Sequence, residues 1–232
     1  CGNYSLWSNL TIFWGCGTNL HRSPYNARNH EYYSEDAVLT SGQAVAFISG
    51  GKEYGVIIAP KHLAFNDTEI NRTGVSVFMT EQQARENELR GTQAAIEDAG
   101  ALGVMTAFNR VGITATNAHT GLLKNILRGE WGFKGLESQD FIMNPNYAVL
   151  KEYALNGGTM TTFTGENTMA AVSEKFAYWT TENVGQDTEL MSAIKQAMTW
   201  QAYALANSNA LDGMASSTRL VSVRTWYDNA LV

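Results

Sequence analysis

The chain has 232 residues and a formal net charge of −6, and it is 44% hydrophobic and 16% charged. This composition excludes an intrinsically disordered chain, and the length is sufficient for one domain, residues 1–232, with a sizeable core. The acidic charge argues against a nucleic-acid-binding protein, and no apolar run reaches the roughly 20 residues that span a bilayer.

Strand-like and helix-like segments alternate along the chain. Strands are predicted at residues 10–14, 55–59, 102–107, 135–139 and 159–163. Helices are predicted at residues 34–50, 80–98, 117–128, 145–155 and 187–206, the second with Thr80 as its N-cap. The run at 55–59 is apolar without alternation, which indicates a strand buried on both faces, as in a parallel sheet.

About five β-then-α units in succession imply an α/β fold with a parallel sheet and right-handed crossovers. The two usual solutions are an open doubly wound sheet and a (β/α)8 barrel of the TIM type. The sequence lacks both glycine-rich phosphate-binding patterns, which argues against a nucleotide site. Polar residues follow the predicted strand ends, where a barrel places its active site. We therefore predict a barrel-type domain, incomplete because five units do not close an eight-unit barrel.

Asp140 ends the predicted strand at 135–139. A carboxylate in this position of a barrel is a natural nucleophile or base. It could equally be the N-cap of the next helix or a loop carboxylate, and position alone does not separate these interpretations.

Two further groups of polar residues suit ligand binding. Lys61 and His62 follow the strand at 55–59 and could donate hydrogen bonds to several hydroxyls of one ligand. The plainer alternative is a solvated lysine beside a histidine bonded to a backbone carbonyl. Residues 28–36 combine charged, amide and aromatic groups before a helix, which is typical of a ligand-lining loop, of a capped helix start with Ser34 as N-cap, or of both.

Other catalytic schemes fit this sequence poorly. It has no G-x-S-x-G nucleophile elbow, and its four histidines show no metal-binding spacing, so no metal is predicted. Its two cysteines have no catalytic context and make no disulfide framework.

Four segments together resemble motifs of glycoside hydrolase family 3. They are Asn-Leu-His-Arg-Ser-Pro at 19–24 with Arg-Asn-His-Glu-Tyr-Tyr-Ser-Glu-Asp at 28–36, Lys-His-Leu-Ala-Phe-Asn-Asp at 61–67 with Glu69, Asn71 and Arg72, Gly-Val-Met-Thr-Ala-Phe-Asn-Arg at 103–110, and Leu-Arg-Gly-Glu-Trp-Gly-Phe-Lys-Gly at 127–135. Their order and spacing also match. The segment at 61–67 lacks the histidine-containing insert of the β-N-acetylglucosaminidase branch, which favours the β-glucosidase-like branch.

The resemblance implies that this chain is the later part of the family's catalytic barrel, with Asp140 as the nucleophile. The implied reaction is the retaining hydrolysis of terminal β-D-glycosidic bonds, through a glycosyl-enzyme on Asp140. The implied substrate is a small-molecule β-glycoside or an oligosaccharide, and the reaction needs neither a metal nor an organic cofactor.

The resemblance also implies a set of sugar-binding residues. Arg28, Lys61 and His62 fall on positions that bind the hydroxyls of the sugar in the −1 subsite. Glu31 matches a supporting carboxylate. Phe108 stands where many members have a tyrosine, so it keeps an apolar wall near the nucleophile without the hydroxyl.

Some parts of the family pattern do not occur in this sequence. The early barrel units and the acid/base glutamate have no counterpart, so the alternative is a catalytically incomplete relic or a sugar-binding fragment of the same fold. Unpaired strand edges predict self-association or contact with a missing domain. No targeting segment is visible at the N-terminus, which leaves the compartment undetermined.

Residues 136–139 read Leu-Glu-Ser-Gln, where the family usually has apolar residues. A buried, unpaired Glu137 would destabilise the fold or take up a proton. We therefore expect that Glu137 faces a polar side or that the strand is disturbed.

Overall fold

A computed structural model describes residues 10–72, 74–141, 149–162 and 179–211. The strands of these residues are β1 (Ile12–Gly17), β2 (Ile57–Leu63), β3 (Ser76–Val77), β4 (Gly103–Thr106), β5 (Arg110–Val111), β6 (Thr114–Ala115) and β7 (Leu136–Gln139). The α-helices are α1 (Ala37–Lys52), α2 (Glu81–Gln83), α3 (Arg90–Glu97), α4 (Leu150–Leu155), α5 (Thr181–Gln186) and α6 (Thr188–Ala206). Two π-helical segments, π1 (Ala84–Glu88) and π2 (Gly121–Glu130), and two 3₁₀ turns, Thr116–Ala118 and Asn209–Leu211, complete this set.

Four of the strands form one parallel sheet in the order β1-β2-β4-β7. Helix α1 connects β1 to β2, the helical run from α2 to α3 connects β2 to β4, and π2 connects β4 to β7. This succession of β-then-α units is that of a (β/α)8 barrel, and the described part of it is incomplete, as predicted. A second, small sheet of order β3-β5-β6 lies in the connections that follow β2 and β4.

The strand predicted at 159–163 is represented in the described residues by a single parallel bridge between Met160 and Ser138. Residue 163 lies outside the described residues, as does the first part of the helix predicted at 145–155. The described part of that helix is α4, and Tyr153 on it donates a hydrogen bond to the carbonyl of Met160 at 2.8 Å.

Each face of the main sheet has its own apolar cluster. Because side chains alternate along a strand, Ile58 and its neighbour Ile57 point to opposite faces. The helix-facing cluster contains residues of β2, β4, α1, α3 and π2, among them Ala44, Ile48, Ile58, Ala95, Val104, Leu123 and Leu127. On the other face, Ile57 and Leu136 pack with Ala204 of α6. The end of α6 is tied there by the Asn209 N–H, which donates to the carbonyl of Gly55 at 2.8 Å.

The N-cap predicted at Thr80 is confirmed, the N-cap considered at Ser34 is corrected, and a further cap is found at Asp187. Thr80 caps α2 and Asp187 caps α6, each side chain accepting an N–H of the first turn. Helix α1 is capped by Asp36 rather than Ser34, because the Asp36 carboxylate accepts the Leu39 N–H at 2.7 Å. Ser34 instead accepts the N–H of Asp36 at 3.0 Å and shapes the turn before the helix.

Strand β2 is longer than the apolar run predicted it to be. The prediction ended at residue 59, before Pro60, whereas the strand continues to Leu63. Lys61 pairs with Gly17 of β1 and with Met105 of β4, and both ladders shift register here. Lys61 and His62 therefore belong to the end of the strand itself, which places their side chains more firmly than a loop would.

Two smaller expectations concern cysteine and the membrane. Cys16 is a buried free thiol at the end of β1, and burial raises its pKa to about 11. Cys1 lies outside the described residues. Within the described ranges, no helix has the length and apolar character needed to cross a bilayer.

Candidate active site

Asp140 lies directly beyond the end of β7, at the carboxyl edge of the main sheet. Its N–H donates to the carbonyl of Thr106 at 3.2 Å, so the backbone of Asp140 continues the pairing of β7 with β4. Its side chain is 9% exposed, and Oδ1 accepts the N–H of Phe141 at 2.8 Å. The carboxylate is therefore positioned by the strand and is largely removed from solvent.

The electrostatic environment of Asp140 has two opposing parts. Burial raises the pKa of Asp140 above its ordinary value, because desolvation disfavours the charged carboxylate. The Phe141 N–H and the positive charges of Arg28, Arg72 and Lys61 lower it. A partly desolvated carboxylate kept in reach of several cations is a suitable nucleophile.

His62 is the direct neighbour of Asp140 in the site. Its Nε2 atom lies 3.4 Å from Oδ2 of Asp140 and 3.2 Å from Nη2 of Arg28. The backbone of His62 is fixed by Asn19, which accepts the His62 N–H at 2.9 Å and donates to the His62 carbonyl at 3.0 Å. Burial, and then the charges of Arg28, Lys61 and Arg72, lower the pKa of His62 well below its ordinary value, so the ring is neutral.

Glu31 forms ion pairs with both cations predicted for the site, Arg28 and Lys61. Its Oε2 accepts from Nε of Arg28 at 2.8 Å, and its Oε1 pairs with Nζ of Lys61 at 2.7 Å. Burial would raise the pKa of Glu31, but the hydrogen bonds and charges of Lys61 and Arg28 outweigh it and lower the pKa. Glu31 is therefore ionised and is a poor proton donor.

A second carboxylate extends this ion-pair network. Oε1 of Glu69 lies 3.2 Å from Nη1 of Arg28 and 3.0 Å from Nη1 of Arg72. The guanidinium of Arg72 lies 4.4 Å from the ring centre of Phe108. Phe108 is thus linked to the site through Arg72, and the structure brings all six predicted site residues into one connected region.

Glycine at position 17 permits the close approach of the Arg28 loop to β1. A Cβ atom at Gly17 would lie 2.6 Å from Cδ1 of Tyr32 and 2.8 Å from the carbonyl oxygen of Glu31. Gly17 and Tyr32 form a parallel bridge, which ties the loop to the sheet. This contact places Arg28 and Glu31 beside the end of β2.

Four residues of this region were not predicted as site residues: Asn19, Tyr32, Glu69 and Arg72. All four lie inside the motifs at 19–24, 28–36 and 61–72, so the motifs indicated their neighbourhood but not their contacts. Among the described residues, no group of three or more His, Cys, Asp or Glu side chains is placed to bind a metal ion.

The structure shows the surroundings of Glu137, for which we expected either a polar side or a disturbed strand. β7 pairs with β4 in regular register over all four of its residues, so the strand is not disturbed. Glu137 is fully buried and pairs with Val104, on the helix-facing side of the sheet. Burial raises its pKa to about 7, against the Tyr153 hydroxyl and the charge of Arg128, which lower it. The expectation of a polar side or a disturbed strand is therefore wrong: Glu137 lies on the helix-facing side of a regular strand, and its burial favours the protonated carboxyl near neutral pH.

Comparison with known proteins identifies the family of the chain. The Glycosyl hydrolase family 3 N terminal domain matches residues 9–176. The chain belongs to glycosyl hydrolase family 3. A β-glucosidase of Rhizobium radiobacter is 41% identical over 123 residues, which is 53% of this chain and 15% of that protein. A β-glucosidase of Ruminococcus albus is 38% identical over 132 residues, which is 57% of this chain and 14% of that protein.

Solved structures show the same fold for the family 3 chain. β-Glucosidase 3B from Thermotoga neapolitana, solved in complex with glucose, superposes with a TM-score of 0.79 at 26% identity. The match covers 91% of this chain and 29% of that structure. β-Glucosidase from Kluyveromyces marxianus, also solved with glucose, gives a TM-score of 0.70 at 26% identity over 93% of this chain and 26% of that structure. The family 3 chain therefore spans less than a third of these structures.

Proposed function

We propose that this chain forms the nucleophile-bearing and sugar-binding part of a β-glucosidase-type glycoside hydrolase, with Asp140 as the nucleophile. The observation that carries the proposal is the place of Asp140, at the carboxyl end of a barrel strand and 3.4 Å from His62. The relatives named above are β-glucosidases, and two structural neighbours are complexes with glucose. The expected substrate is accordingly a small β-glycoside or an oligosaccharide.

The sugar in front of Asp140 would be bound by the cluster around it. Arg28 and Lys61 supply N–H donors to ring hydroxyls, and both are held in place by Glu31. His62 adds a neutral ring beside Asp140. Phe108 contributes an apolar surface, backed by Arg72.

The proposed reaction has two displacements. The Asp140 carboxylate attacks the anomeric carbon, the bond to the leaving oxygen breaks, and that oxygen takes a proton from a carboxylic acid. Water then attacks the anomeric carbon of the glycosyl-enzyme, giving up its proton to the same group, and Asp140 leaves as a carboxylate. Two inversions at one carbon give retention.

The proton donor is expected outside the described residues. Glu31, the carboxylate tied to Arg28 and Lys61, is ionised and cannot supply the proton. The chain spans at most 15% of the two curated relatives, so we propose that residues 1–232 form one domain, the later part of the catalytic barrel of a longer protein.

Covalent trapping tests the proposal without a proton donor. A 2-deoxy-2-fluoro-β-glucoside with a dinitrophenolate leaving group is incubated with the chain and with its Asp140→Asn and Asp98→Asn variants. Asp98 is an exposed aspartate at the end of α3 and serves as the matched control. We expect fluoroglucosyl label on the peptide containing Asp140 in the wild type and in Asp98→Asn, and no label in Asp140→Asn.

The same experiment separates the alternative reading of the chain. Binding of glucose by calorimetry without any covalent label would contradict a nucleophile at Asp140 and would support a sugar-binding relic. Equal labelling of wild type and Asp140→Asn would place the nucleophile elsewhere.

A further inference from the structure

The hydroxyl of Tyr32 lies behind the ring of His62, on the side away from Asp140. Tyr32 is 5% exposed, and its ring stands edge-on to that of His62 at an interplanar angle of 77°. Its Oη atom lies 3.3 Å from Nδ1 of His62 and 2.6 Å from the carbonyl oxygen of Asn66. This hydroxyl has no part in the proposed reaction, yet it lies within hydrogen-bond distance of Nδ1.

The proton of the Tyr32 hydroxyl is committed to one of these two neighbours. A backbone carbonyl can only accept, and the contact to the carbonyl of Asn66 is short, at 2.6 Å. The single hydroxyl proton therefore points to Asn66, which leaves a lone pair of Oη facing Nδ1 of His62. That contact is a hydrogen bond only if Nδ1 carries the proton and donates it to Tyr32.

The opposite side of the ring leads to the same assignment. A guanidinium has only donors, so the 3.2 Å contact between Nη2 of Arg28 and Nε2 of His62 requires an unprotonated Nε2. The Oδ2 atom of Asp140 would favour a proton on Nε2, but it is the more distant neighbour, at 3.4 Å. The contacts with Tyr32 and Arg28, on opposite sides of the ring, therefore both indicate a proton on Nδ1. Only the longer contact with Asp140 favours a proton on Nε2.

A doubly protonated ring is disfavoured by its surroundings. His62 is 2% exposed, and its described charged neighbours include the cations Arg28, Lys61 and Arg72 as well as Asp140. The neutral ring therefore has one proton to place, and the hydrogen-bond network assigns it to Nδ1.

We propose that Tyr32 is a positioning residue that holds His62 in the Nδ1–H tautomer, so that Nε2 accepts from Arg28 and donates nothing to Asp140. The consequence for the proposed function is that Oδ2 of Asp140 is not engaged by a histidine N–H. A carboxylate oxygen without that hydrogen bond is the stronger nucleophile, because no donor has to be released when it attacks.

The tautomer can be read directly by NMR, whether or not the chain hydrolyses a substrate. In a long-range ¹H–¹⁵N correlation spectrum of ¹⁵N-histidine-labelled protein, the two neutral tautomers give different patterns, and the chain has four histidines. The His62→Gln variant identifies the His62 signals by their loss. We expect the Nδ1–H pattern for His62 at neutral pH in the wild type.

Tyr32→Phe removes the acceptor of the Nδ1 proton, and we expect the His62 pattern to change to the Nε2–H form. Tyr33→Phe is the matched control, since the Tyr33 hydroxyl interacts with the Cys16 thiol rather than with His62. It should leave the His62 pattern unchanged. Unchanged signals of the other three histidines show that each variant is folded.

Two results would overturn the proposal. One is an Nε2–H or imidazolium pattern of His62 in the wild type, which needs no variant to be decisive. The other is a folded Tyr32→Phe protein that retains the Nδ1–H pattern. Neither depends on whether Asp140 is labelled by the fluoroglucoside, so failure of this proposal and failure of the proposed function are distinguishable.

Discussion

His62, on β2, and Asp140, beyond the end of β7, lie within 3.4 Å of each other although β4 separates their strands. The contact spans the carboxyl edge of the sheet above β4, and His62 in turn touches Arg28 at 3.2 Å. Because the charges of Arg28 and Lys61 also lower the pKa of Asp140, changes in the Arg28 loop will be felt at the proposed nucleophile.

Glu31→Gln should weaken sugar binding. The substitution removes the charge that holds Arg28 and Lys61 at 2.8 and 2.7 Å, and leaves two partly buried cations with less compensation. We expect glucose to bind at least about 10-fold more weakly, or roughly 1.4 kcal/mol, by calorimetry. Glu35→Gln, four positions along and exposed, should bind as the wild type does. Equal affinity of wild type and Glu31→Gln would exclude a supporting role for Glu31.

Glu137 should make the protein less stable as the pH rises. Its pKa is about 7 in the folded state against 4.5 ordinarily, so between these values the native state keeps a proton that the unfolded chain has lost. The free energy of unfolding therefore falls as the pH rises through this window, by roughly 3 kcal/mol for this group. Glu88, with a pKa of about 7 through burial, adds to the same fall.

The Glu137→Gln variant tests this linkage. At about pH 8 we expect it to be more stable than the wild type in urea, with the difference vanishing near pH 4, where both states are protonated. Glu97→Gln, at an exposed position of α3, should show the same pH dependence as the wild type. If Glu137→Gln kept the full pH slope, Glu137 would not be the buried titrating group.

Gly17→Ala should displace the Arg28 loop. The new methyl group would lie 2.6 Å from Tyr32 and 2.8 Å from the carbonyl oxygen of Glu31, closer than such contacts occur. We expect a stability loss of about 1–3 kcal/mol, as for an overpacked core, together with weaker glucose binding.

Gly42→Ala is the matched control for this change. Gly42 lies inside α1 with nothing within 4 Å of its added Cβ, so alanine should raise stability by about 0.5–1 kcal/mol. Thermal unfolding of both variants compares them directly. A Gly17→Ala protein as stable as the wild type, with normal sugar binding, would contradict the close packing at this position.

We expect this chain to self-associate through the unpaired edges of its main sheet. In the described residues, β1 pairs with β2 and is otherwise bridged only at Gly17, to Tyr32, and the outer edge of β7 is bridged only at Met160. Unpaired strand edges tend to pair with another chain. We expect light scattering to show a mass above that of one 25.4 kDa chain, rising with concentration. A monodisperse monomer with a cooperative melt would show that these edges are covered within the chain.

The sequence by itself determined the alternation of strands and helices and which segments form the candidate site. The apolar run before Pro60 predicted β2, and the capping side chain of Thr80 predicted the start of α2, because these signals depend on neighbouring residues alone. The motifs likewise predicted that Arg28 and Asp140, beyond the end of β7, belong to the same site.

Only the tertiary structure decided which groups touch and in what state of charge. The pairing of Glu31 with Lys61, the contact of Tyr32 with His62, and the burial of Glu137 on the helix-facing side all join segments far apart in the chain. Contacts of this kind depend on strand order and register, which local sequence does not encode. The pKa of each group then follows from the desolvation and charges that packing imposes.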